Sequence, residues 1–257
     1  MGFSLFGTFI PYYGLCIVIG LDCAFLLGCF LCNQSNINID DFIIIGVYLI
    51  GFGFLGAKIL YIFVSLRNID FSVVFQNMKT FNTFIGSGFV FYGGLVGGLL
   101  GLIFVQKVHK IQIRVYIRTI APCLSLAHAF GRIGCSLAGC CYGKETSCKV
   151  FFKYSKSIVA PNEVHLFPVQ GIESFLLFLL TIVLILLYMK NQNCKVHFIY
   201  IVCYSIIRFI LEFLRGDTER GFFMFFSTSQ IISIILLMGI FIFLFITKTR
   251  INNIGFD

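Results

Sequence analysis

The amino-acid sequence predicts an all-α, polytopic membrane protein with about seven transmembrane helices around a lipid-accessible polar cavity. Two observations carry this prediction. Of the 257 residues, 59% are hydrophobic and only 12% are charged, whereas a soluble domain has about 25% charged and about 45–50% apolar residues. Apolar runs also recur at close to the length of about 20 residues that a transmembrane helix needs. The composition excludes a soluble enzyme, a disordered chain, a nucleic-acid-binding domain and a disulfide-stapled secreted domain.

The candidate spans take up more than half of the chain. The last run has no charged residue from Met224 to Thr247, whereas the fourth contains Pro122, His128 and Arg132. One long polar loop lies at about 138–170, and no repeat or low-complexity linker divides the chain. We therefore expect a single integral membrane domain over residues 1–257, without a cleavable signal peptide. The expected spans are, approximately, 11–32, 42–66, 84–106, 115–137, 171–189, 196–214 and 224–247.

The basic residues between the spans predict the orientation, because Lys and Arg accumulate on the cytoplasmic side. The basic loop around 107–118, the pair Lys190 and Lys195, and the tail residues Lys248 and Arg250 would then be cytoplasmic. The opposite side carries as many basic residues, but half of them lie in the long loop. They are Arg67, Lys79, Lys144, Lys149, Lys153, Lys156, Arg215 and Arg220. We expect the N-terminus outside and the C-terminus in the cytoplasm.

The sixth span contains a polar stripe. Tyr204, Arg208 and Glu212 are spaced i, i+4, i+8, which places all three on one helical face. Charges inside a membrane are costly and usually functional, and a guanidinium can grip a phosphate through two hydrogen bonds. The stripe therefore predicts a phosphate-binding site in the bundle interior. A purely structural Arg–Glu ion pair is the alternative.

Glycines are concentrated in the third span. Seven lie between Gly86 and Gly101, and small residues four apart let helix backbones approach closely. Packing explains the glycines from Gly97 onward, whereas Tyr92-Gly93-Gly94 places a polar ring beside backbone amides. The run Gly51–Gly56 fits a G-x-G-x-x-G pattern, but no strand precedes it, so a dinucleotide site is excluded.

The segment Gly131–Lys144 is the most distinctive in the chain. Arg132 is followed by Gly134, Gly139 and Gly143 at the place where a span should end. Such a segment can present backbone N–H groups and a guanidinium to a phosphate, and irregular backbone at membrane depth is tolerated where it lines a cavity. His128 stands one helical turn before Arg132.

The eleven cysteines fall into two groups. Most are scattered through apolar stretches and behave as small hydrophobic residues. Cys135, Cys140, Cys141 and Cys148 are clustered, with the spacing C-x4-C-C-x6-C, which matches no standard zinc pattern. A disulfide facing an oxidising exterior and a metal or redox site remain alternatives for this cluster.

Taken together, these residues resemble the prolipoprotein diacylglyceryl transferase family of polytopic bacterial membrane enzymes. The resemblance extends over most of the chain, and the Gly-Arg segment is its most specific part. The matching elements are Tyr13-Gly14-Leu15, Tyr92-Gly93-Gly94-Leu95, Gly131-Arg132-x-Gly134 running to Gly143, Pro168-x-Gln170-x-x-Glu173, Tyr204 with Arg208, Glu212 and Phe213, and Ser229-Gln230.

The resemblance implies transfer of a diacylglyceryl group from phosphatidylglycerol to the lipobox cysteine of a prolipoprotein, with release of glycerol phosphate. It implies location in the bacterial cytoplasmic membrane, membrane lipids and prolipoprotein signal peptides as partners, and no metal or soluble cofactor. The implied catalytic residues are Arg132, Arg208, Glu212, Tyr92 and His128. The implied substrate-binding residues are Tyr13, Gly93, Gly94, Gly131, Gly134, Cys135, Gly139, Cys140, Gly143, Gln170, Glu173 and Tyr204.

This sequence departs from the family pattern at four positions. Tyr92 stands where the family usually has His, Cys135 and Ala138 where it has Asn, and Cys140 where it has Glu. Because the usual His is missing, His128 or Glu212 is the expected base. Two further interpretations remain open, namely the same fold and phospholipid donor with another acceptor, and a membrane protein that binds or transports lipid without catalysis.

Overall fold

The computed structural model describes the chain except for residues 1, 6–7, 67–68, 87, 192–193, 218–221, 224–225 and 255–257. The described helices are α1 (Tyr12–Gln34), α2 (Ile39–Ser65), α3 (Phe71–Val74), α4 (Met78–Gly86), α5 (Phe91–Val108), α6 (Ile113–Ala138), α7 (Val169–Lys190), α8 (Val196–Glu212) and α9 (Thr228–Ile254). Three antiparallel pairs join β1 (Gly2–Leu5) to β2 (Thr8–Pro11), β3 (Phe152–Lys153) to β4 (His165–Leu166), and β5 (Phe222–Phe223) to β6 (Phe226–Ser227).

Five described helices are long and apolar enough to cross a bilayer, which makes the chain a multi-pass membrane protein, as predicted. They are α1, α2, α6, α7 and the part of α9 from Thr228 to Ile246. The count of seven is not confirmed. The expected span 84–106 contains the break between α4 and α5, whose apolar part is shorter, and α8 has only 17 residues, two of them charged. Met224, Arg67 and Arg220, on which the last span and the orientation partly relied, lie outside the described residues.

The chain divides into two compact units. The short unit comprises Leu31–Tyr116, and the long unit comprises Met1–Phe30 together with Ile117–Asp257. The single domain expected from the sequence therefore stays a prediction.

Glycines hold α2 and α5 together in the short unit. A Cβ atom on Gly56 would collide with the carbonyl oxygen of Gly93, and one on Gly97 would collide with the carbonyl oxygen of Phe52. Gly101 makes a similarly close approach to the Tyr48 carbonyl. Because only hydrogen occupies these positions, the two backbones come closer than larger residues would permit.

Small polar side chains join α6 to α7 in the long unit. Ser125 donates a hydrogen bond to the Leu177 carbonyl at 3.1 Å, and Ser174 donates one to the Ala129 carbonyl at 2.9 Å. Gly20 of α1 lies against Phe130 of α6 so closely that a Cβ would overlap the ring's own Cβ. These contacts fix the end of α6 against the beginning of α7, where the charged residues lie.

The segment between α6 and α7 is folded and is not simply a long loop. It contains β3 and β4, and the buried residues Tyr154, Ala160 and Leu166 form a small core of their own. The Tyr154 hydroxyl donates to the Ser136 carbonyl at 2.8 Å, which ties this core to the last turns of α6. The end of α6 is therefore held from outside the helical bundle as well as from within it.

Candidate active site

Charged residues from three helices meet in the long unit. Arg132 lies near the end of α6, Glu173 lies just after the start of α7, and Arg208 and Glu212 lie in the last turns of α8. Glu173 is 1% exposed and Arg208 is 7% exposed. The helix ends thus bring these four charged residues together; the sequence had singled out Arg132, Arg208 and Glu212 as candidate catalytic residues.

These charges alternate in sign along a chain of ion pairs, which we call the charge chain. Glu173 contacts Arg132 Nε through Oε1 at 3.1 Å and Arg208 Nη1 through Oε2 at 3.4 Å. Arg208 Nη2 then contacts Glu212 Oε2 at 2.9 Å. A single buried carboxylate therefore bridges the two arginines that were predicted to bind phosphate.

The charge chain continues beyond α8. Glu212 Oε2 also lies 3.7 Å from Arg215 Nη1, and Arg215 Nε donates to Asp217 Oδ1 at 2.9 Å. Burial alone would lower the pKa of Arg215, but its hydrogen bonds to Asp217 and the negative charges around it raise the pKa. Three arginines and three carboxylates make the whole charge chain electrically neutral, which offsets the cost of removing these groups from water.

The first link of the charge chain is incompletely hydrogen-bonded. Arg132 Nε and Glu173 Oε1 are buried, and their 3.1 Å contact lacks hydrogen-bond alignment. Neither atom has another hydrogen-bond partner within the described part of the chain. Buried polar atoms are nearly always hydrogen-bonded in proteins, so this link has capacity for a polar ligand.

Aromatic rings lie beside the charge chain. The rings of His128 and Tyr204 meet edge to face at 4.9 Å, and Tyr200 stacks on Tyr204 at 6.0 Å. The predicted stripe on α8 is thus present, with the phenol of Tyr204 against His128 and the charges of Arg208 and Glu212 in the charge chain. Ser229 on α9 accepts a further hydrogen bond from Arg208 Nη2 at 3.2 Å.

A tight turn follows α6. Gly139 has φ +77° and Cys141 has φ +58°, and the left-handed conformation that suits glycine is strained for cysteine. The turn brings the sulfur atoms of Cys135, Cys140 and Cys141 within 4.8 Å of one another, and we call these residues the cysteine triad. Gln170 Nε2 donates to the Cys140 carbonyl at 2.8 Å, which links the triad to the first turn of α7.

The triad is partly buried and lies close to positive charge. All eleven cysteines are free thiols. Cys148 is exposed and lies outside the triad, so only three of the four cysteines in the predicted cluster lie together. Hydrogen bonds from the Cys135 and Cys140 thiols, together with the charges of Arg215 and Arg132, lower the pKa of Cys141. The triad is the one group of three or more metal-ligating side chains found among the described residues.

Glycines give the signature segment its close contacts. Tyr13 on α1 packs over Gly134, where a Cβ would lie 3.1 Å from the tyrosine ring. A Cβ on Gly143 would collide with the Phe167 carbonyl. Gly131 has open space where a side chain would project. Gly134 and Gly143 are thus required by packing, whereas Gly131 leaves room beside Arg132.

The chain matches a known family over nearly its full length. The family model described as prolipoprotein diacylglyceryl transferase matches residues 1–246. The chain belongs to the prolipoprotein diacylglyceryl transferase family.

Curated relatives carry the corresponding enzyme name. The phosphatidylglycerol–prolipoprotein diacylglyceryl transferase of Clostridium tetani is 36% identical over 244 residues, which are 94% of this chain and 95% of that protein. Transferase 2 of Clostridium perfringens is 38% identical over 239 residues, covering 92% and 90%. The transferase of Clostridioides difficile is 29% identical over 258 residues, covering 99% and 98%.

Three residues that the family resemblance assigned to the site lie in the short unit. Tyr92, Gly93 and Gly94 form the first turns of α5. A Cβ on Gly93 would collide with Gly56 of α2, and the N–H of Gly94 donates to the Val90 carbonyl at 3.2 Å. Packing therefore explains Gly93 as well as the later glycines, contrary to our interpretation of the sequence. A role of these three residues in diacylglyceryl transfer stays a prediction.

Sequence analysis missed two parts of this candidate site. Arg215 was counted only among the basic residues between the spans, although the i, i+3 spacing from Glu212 to Arg215 could have indicated its place in the charge chain. Cys141 was not separated from Cys148, because nothing in the sequence signals that Cys141 adopts a left-handed conformation.

Proposed function

We propose that this chain transfers the diacylglyceryl group of phosphatidylglycerol to the lipobox cysteine thiol of prolipoproteins and releases glycerol phosphate. The charge chain, in which the buried Glu173 bridges the half-buried Arg132 and the buried Arg208, is the observation that carries the proposal. The names of the relatives supply the substrates. The remaining sequence-assigned residues of the long unit are proposed to shape the binding site around it, namely Tyr13, Gly131, Gly134, Gly139, Gly143, Gln170 and Tyr204.

The leaving group explains the need for two arginines. When the bond between the glycerol carbon and the phosphate oxygen breaks, negative charge develops on the phosphate. Preorganised positive groups in a low-dielectric site stabilise such charge strongly. Arg132 and Arg208 share Glu173 at 3.1 and 3.4 Å, so a phosphate that replaces this carboxylate would contact both guanidinium groups.

The incoming thiol must lose its proton before it attacks, because the thiolate is the nucleophile. Glu212 and His128 are the proposed bases. Glu212 is 3% exposed and already pairs with Arg208 and Arg215, whereas the His128 ring lies against Tyr204. The two bases are distinguishable by the substitutions Glu212→Gln and His128→Gln.

The cysteines at 135 and 140 favour one alternative. They stand where the resemblance places polar residues, so the same donor could serve another acceptor. Restoring the usual residues tests this point. If Cys135→Asn and Tyr92→His raise lipoprotein modification, the acceptor is a prolipoprotein and the departures only tune the rate.

The proposed location is the bacterial cytoplasmic membrane, with the N-terminus outside and the C-terminus in the cytoplasm. The basic loop around 107–118 supports this orientation. Reporter fusions at the two termini test it.

Complementation is the decisive experiment. Expression of this chain in a bacterium depleted of its own transferase should restore lipoprotein lipidation, measured as a mass gain on a lipobox peptide. Arg132→Ala should abolish restoration, because one of the two phosphate-binding guanidinium groups is lost. Arg114→Ala is the matched control, since Arg114 is an exposed arginine on the same helix. Well-expressed protein that restores no lipidation would refute the proposal.

A further inference from the structure

The cysteine triad combines three sulfur ligands in a small volume. Cys135 lies in the last turn of α6, and Cys140 and Cys141 follow the turn at Gly139. Their sulfur atoms lie within 4.8 Å of one another. In a tetrahedral zinc site, Zn–S bonds of about 2.3 Å place the sulfurs about 3.8 Å apart. The sulfurs therefore need to approach by about 1 Å at most, which side-chain rotation can supply.

The backbone holds the triad in place at some cost. Cys141 adopts φ +58°, a left-handed conformation that is strained for a residue other than glycine. Surrounding contacts enforce it: Gln170 binds the Cys140 carbonyl at 2.8 Å, and the N–H of Gly216 donates to the Tyr142 carbonyl at 2.9 Å. Strained residues held this way are concentrated at functional sites. The strain at Cys141 directs a third sulfur toward the other two.

We propose that the cysteine triad binds Zn²⁺ through three thiolates and leaves the fourth coordination position open. Zinc prefers sulfur and nitrogen ligands, and sites with three protein ligands keep an exchangeable position. Adjacent cysteines in a C-x4-C-C arrangement match none of the common zinc spacings, so the sequence left a metal site as only one of the alternatives for this cluster.

The surrounding charges suit such a complex. Three thiolates and one Zn²⁺ carry a net charge of −1. Arg132 lies three residues before Cys135 on α6, and Arg215 pairs through its backbone with Gly143, two residues after Cys141. Positive groups stabilise the thiolate form of cysteine. A cation without thiolates would be repelled by these arginines, so the thiolates are essential to the proposal.

The open position has a consequence that rests on the proposed function. The acceptor cysteine would bind there as a thiolate, because coordination to a metal deprotonates a thiol, and its proton would pass to solvent. The sulfur lone pair then forms the bond to the glycerol carbon, and the carbon–oxygen bond breaks with both electrons remaining on the phosphate. Zinc keeps its oxidation state throughout. Coordination to zinc would reduce the need for a protein base in a chain that lacks the family's usual His.

Metal analysis of the full chain purified in detergent tests the site. Metal-free protein incubated with Zn²⁺ should retain one equivalent after desalting, and Co²⁺ in its place should give sulfur-to-cobalt charge-transfer absorption. Cys141→Ser should lower the affinity by more than about tenfold, because one of three ligands is lost. Cys148→Ser, at an exposed cysteine in the same segment, should bind like the unmodified chain. Equal metal content in Cys141→Ser and Cys148→Ser protein would overturn the proposal.

A second readout does not depend on folding of the variants. Zn²⁺ should protect three thiols of the unmodified chain from maleimide labelling, and protection of none would overturn the site. A synthetic lipobox peptide should intensify the cobalt absorption, whereas its Cys→Ser counterpart should not. Metal binding without lipidation would refute the proposed function and leave the site intact. Lipidation by protein that binds no metal would refute the site alone.

Discussion

Glycine joins α2 and α5 in the short unit, whereas charge joins α6, α7 and α8 in the long unit. In the short unit, Gly56, Gly93 and Gly97 remove side chains so that backbones touch. In the long unit, Glu173 joins arginines from α6 and α8. A glycine contact depends on shape and has no partner to exchange, whereas an ion pair can exchange its carboxylate for another anion. The difference indicates why the proposed chemistry lies in the long unit.

The short unit also contains an intramembrane charge, which it stabilises differently. The Lys58 ammonium lies 4.1 Å from the centroid of the Phe84 ring, 5.0 Å from that of Tyr61 and 5.3 Å from that of Phe89. It also donates to the Phe84 carbonyl. Aromatic faces attract cations, so these rings stabilise Lys58 without being displaceable by a phosphate.

The largest expected effect is at Glu173. In Glu173→Gln protein, Arg132 and Arg208 face a neutral amide, and breaking a buried ion pair in this way costs about 3–5 kcal/mol. Unfolding in detergent, followed with heat or denaturant, measures the loss. The control is Glu163→Gln, which breaks the exposed Lys153–Glu163 pair and should cost less than about 1 kcal/mol. Equal losses in the two variants would contradict a buried bridge.

A double variant at the Arg132–Glu173 pair separates the effect on protein stability from the effect on activity. Arg132→Met combined with Glu173→Leu removes one complete pair and leaves Arg208 with Glu212. Replacing a buried pair by apolar residues is often neutral, so the double variant should recover about 2 kcal/mol or more relative to Glu173→Leu alone. It should still fail to lipidate a lipobox peptide. Recovery of both stability and activity would show that the pair is only structural.

An intermediate effect is expected where α2 and α5 touch. In Gly97→Ala protein the new methyl group would meet the Phe52 carbonyl, and overpacking of this kind costs about 1–3 kcal/mol. Gly98→Ala is the matched control, because its nearest neighbours are atoms of Leu49 at 3.8 and 4.0 Å. Alanine there gains helix propensity and should not lower the free energy of unfolding. If Gly98→Ala lowered the free energy of unfolding more than Gly97→Ala does, α2 would contact α5 at Gly98 and not at Gly97.

The smallest effect is expected at Lys58. Lys58→Met removes the attraction to the aromatic rings, worth about 0.5–2 kcal/mol, and also removes the cost of keeping a charge in the membrane. The two terms oppose each other, so the free energy of unfolding should change by less than about 1 kcal/mol in the same detergent assay. A loss as large as that of Glu173→Gln would contradict this balance of opposing terms.

Helical periodicity predicted the part of the site that lies on α8, but not the residues of other helices with which it pairs. The spacing of Tyr204, Arg208 and Glu212 fixes their common face because helix geometry is regular. No such rule connects Glu173 with Arg132 and Arg208, which are 41 and 35 residues away. Their meeting depends on how α6, α7 and α8 pack.

The sequence predicted the fold class correctly but not every helix boundary or strand. Hydropathy identified α1, α2, α6, α7 and α9, because long apolar helices are the simplest way to cross a bilayer. It overestimated the span around 84–106, where α4 ends at Gly86 and α5 begins at Phe91. It did not predict the hairpin of β1 and β2, whose pairing from Gly2 to Pro11 leaves no pattern in an apolar sequence.

The composition of α8 has a consequence for how the chain is made. Its 17 residues include Arg208 and Glu212 in the last turns, and charged residues raise the cost of entering lipid from the translocon. The carboxylate of Glu173 that pairs with Arg208 belongs to α7, the helix synthesised immediately before α8. We therefore expect α7 to wait at the translocon and to enter the bilayer together with α8 as one hairpin, so that biogenesis of the membrane protein depends on the same pairing as its chemistry.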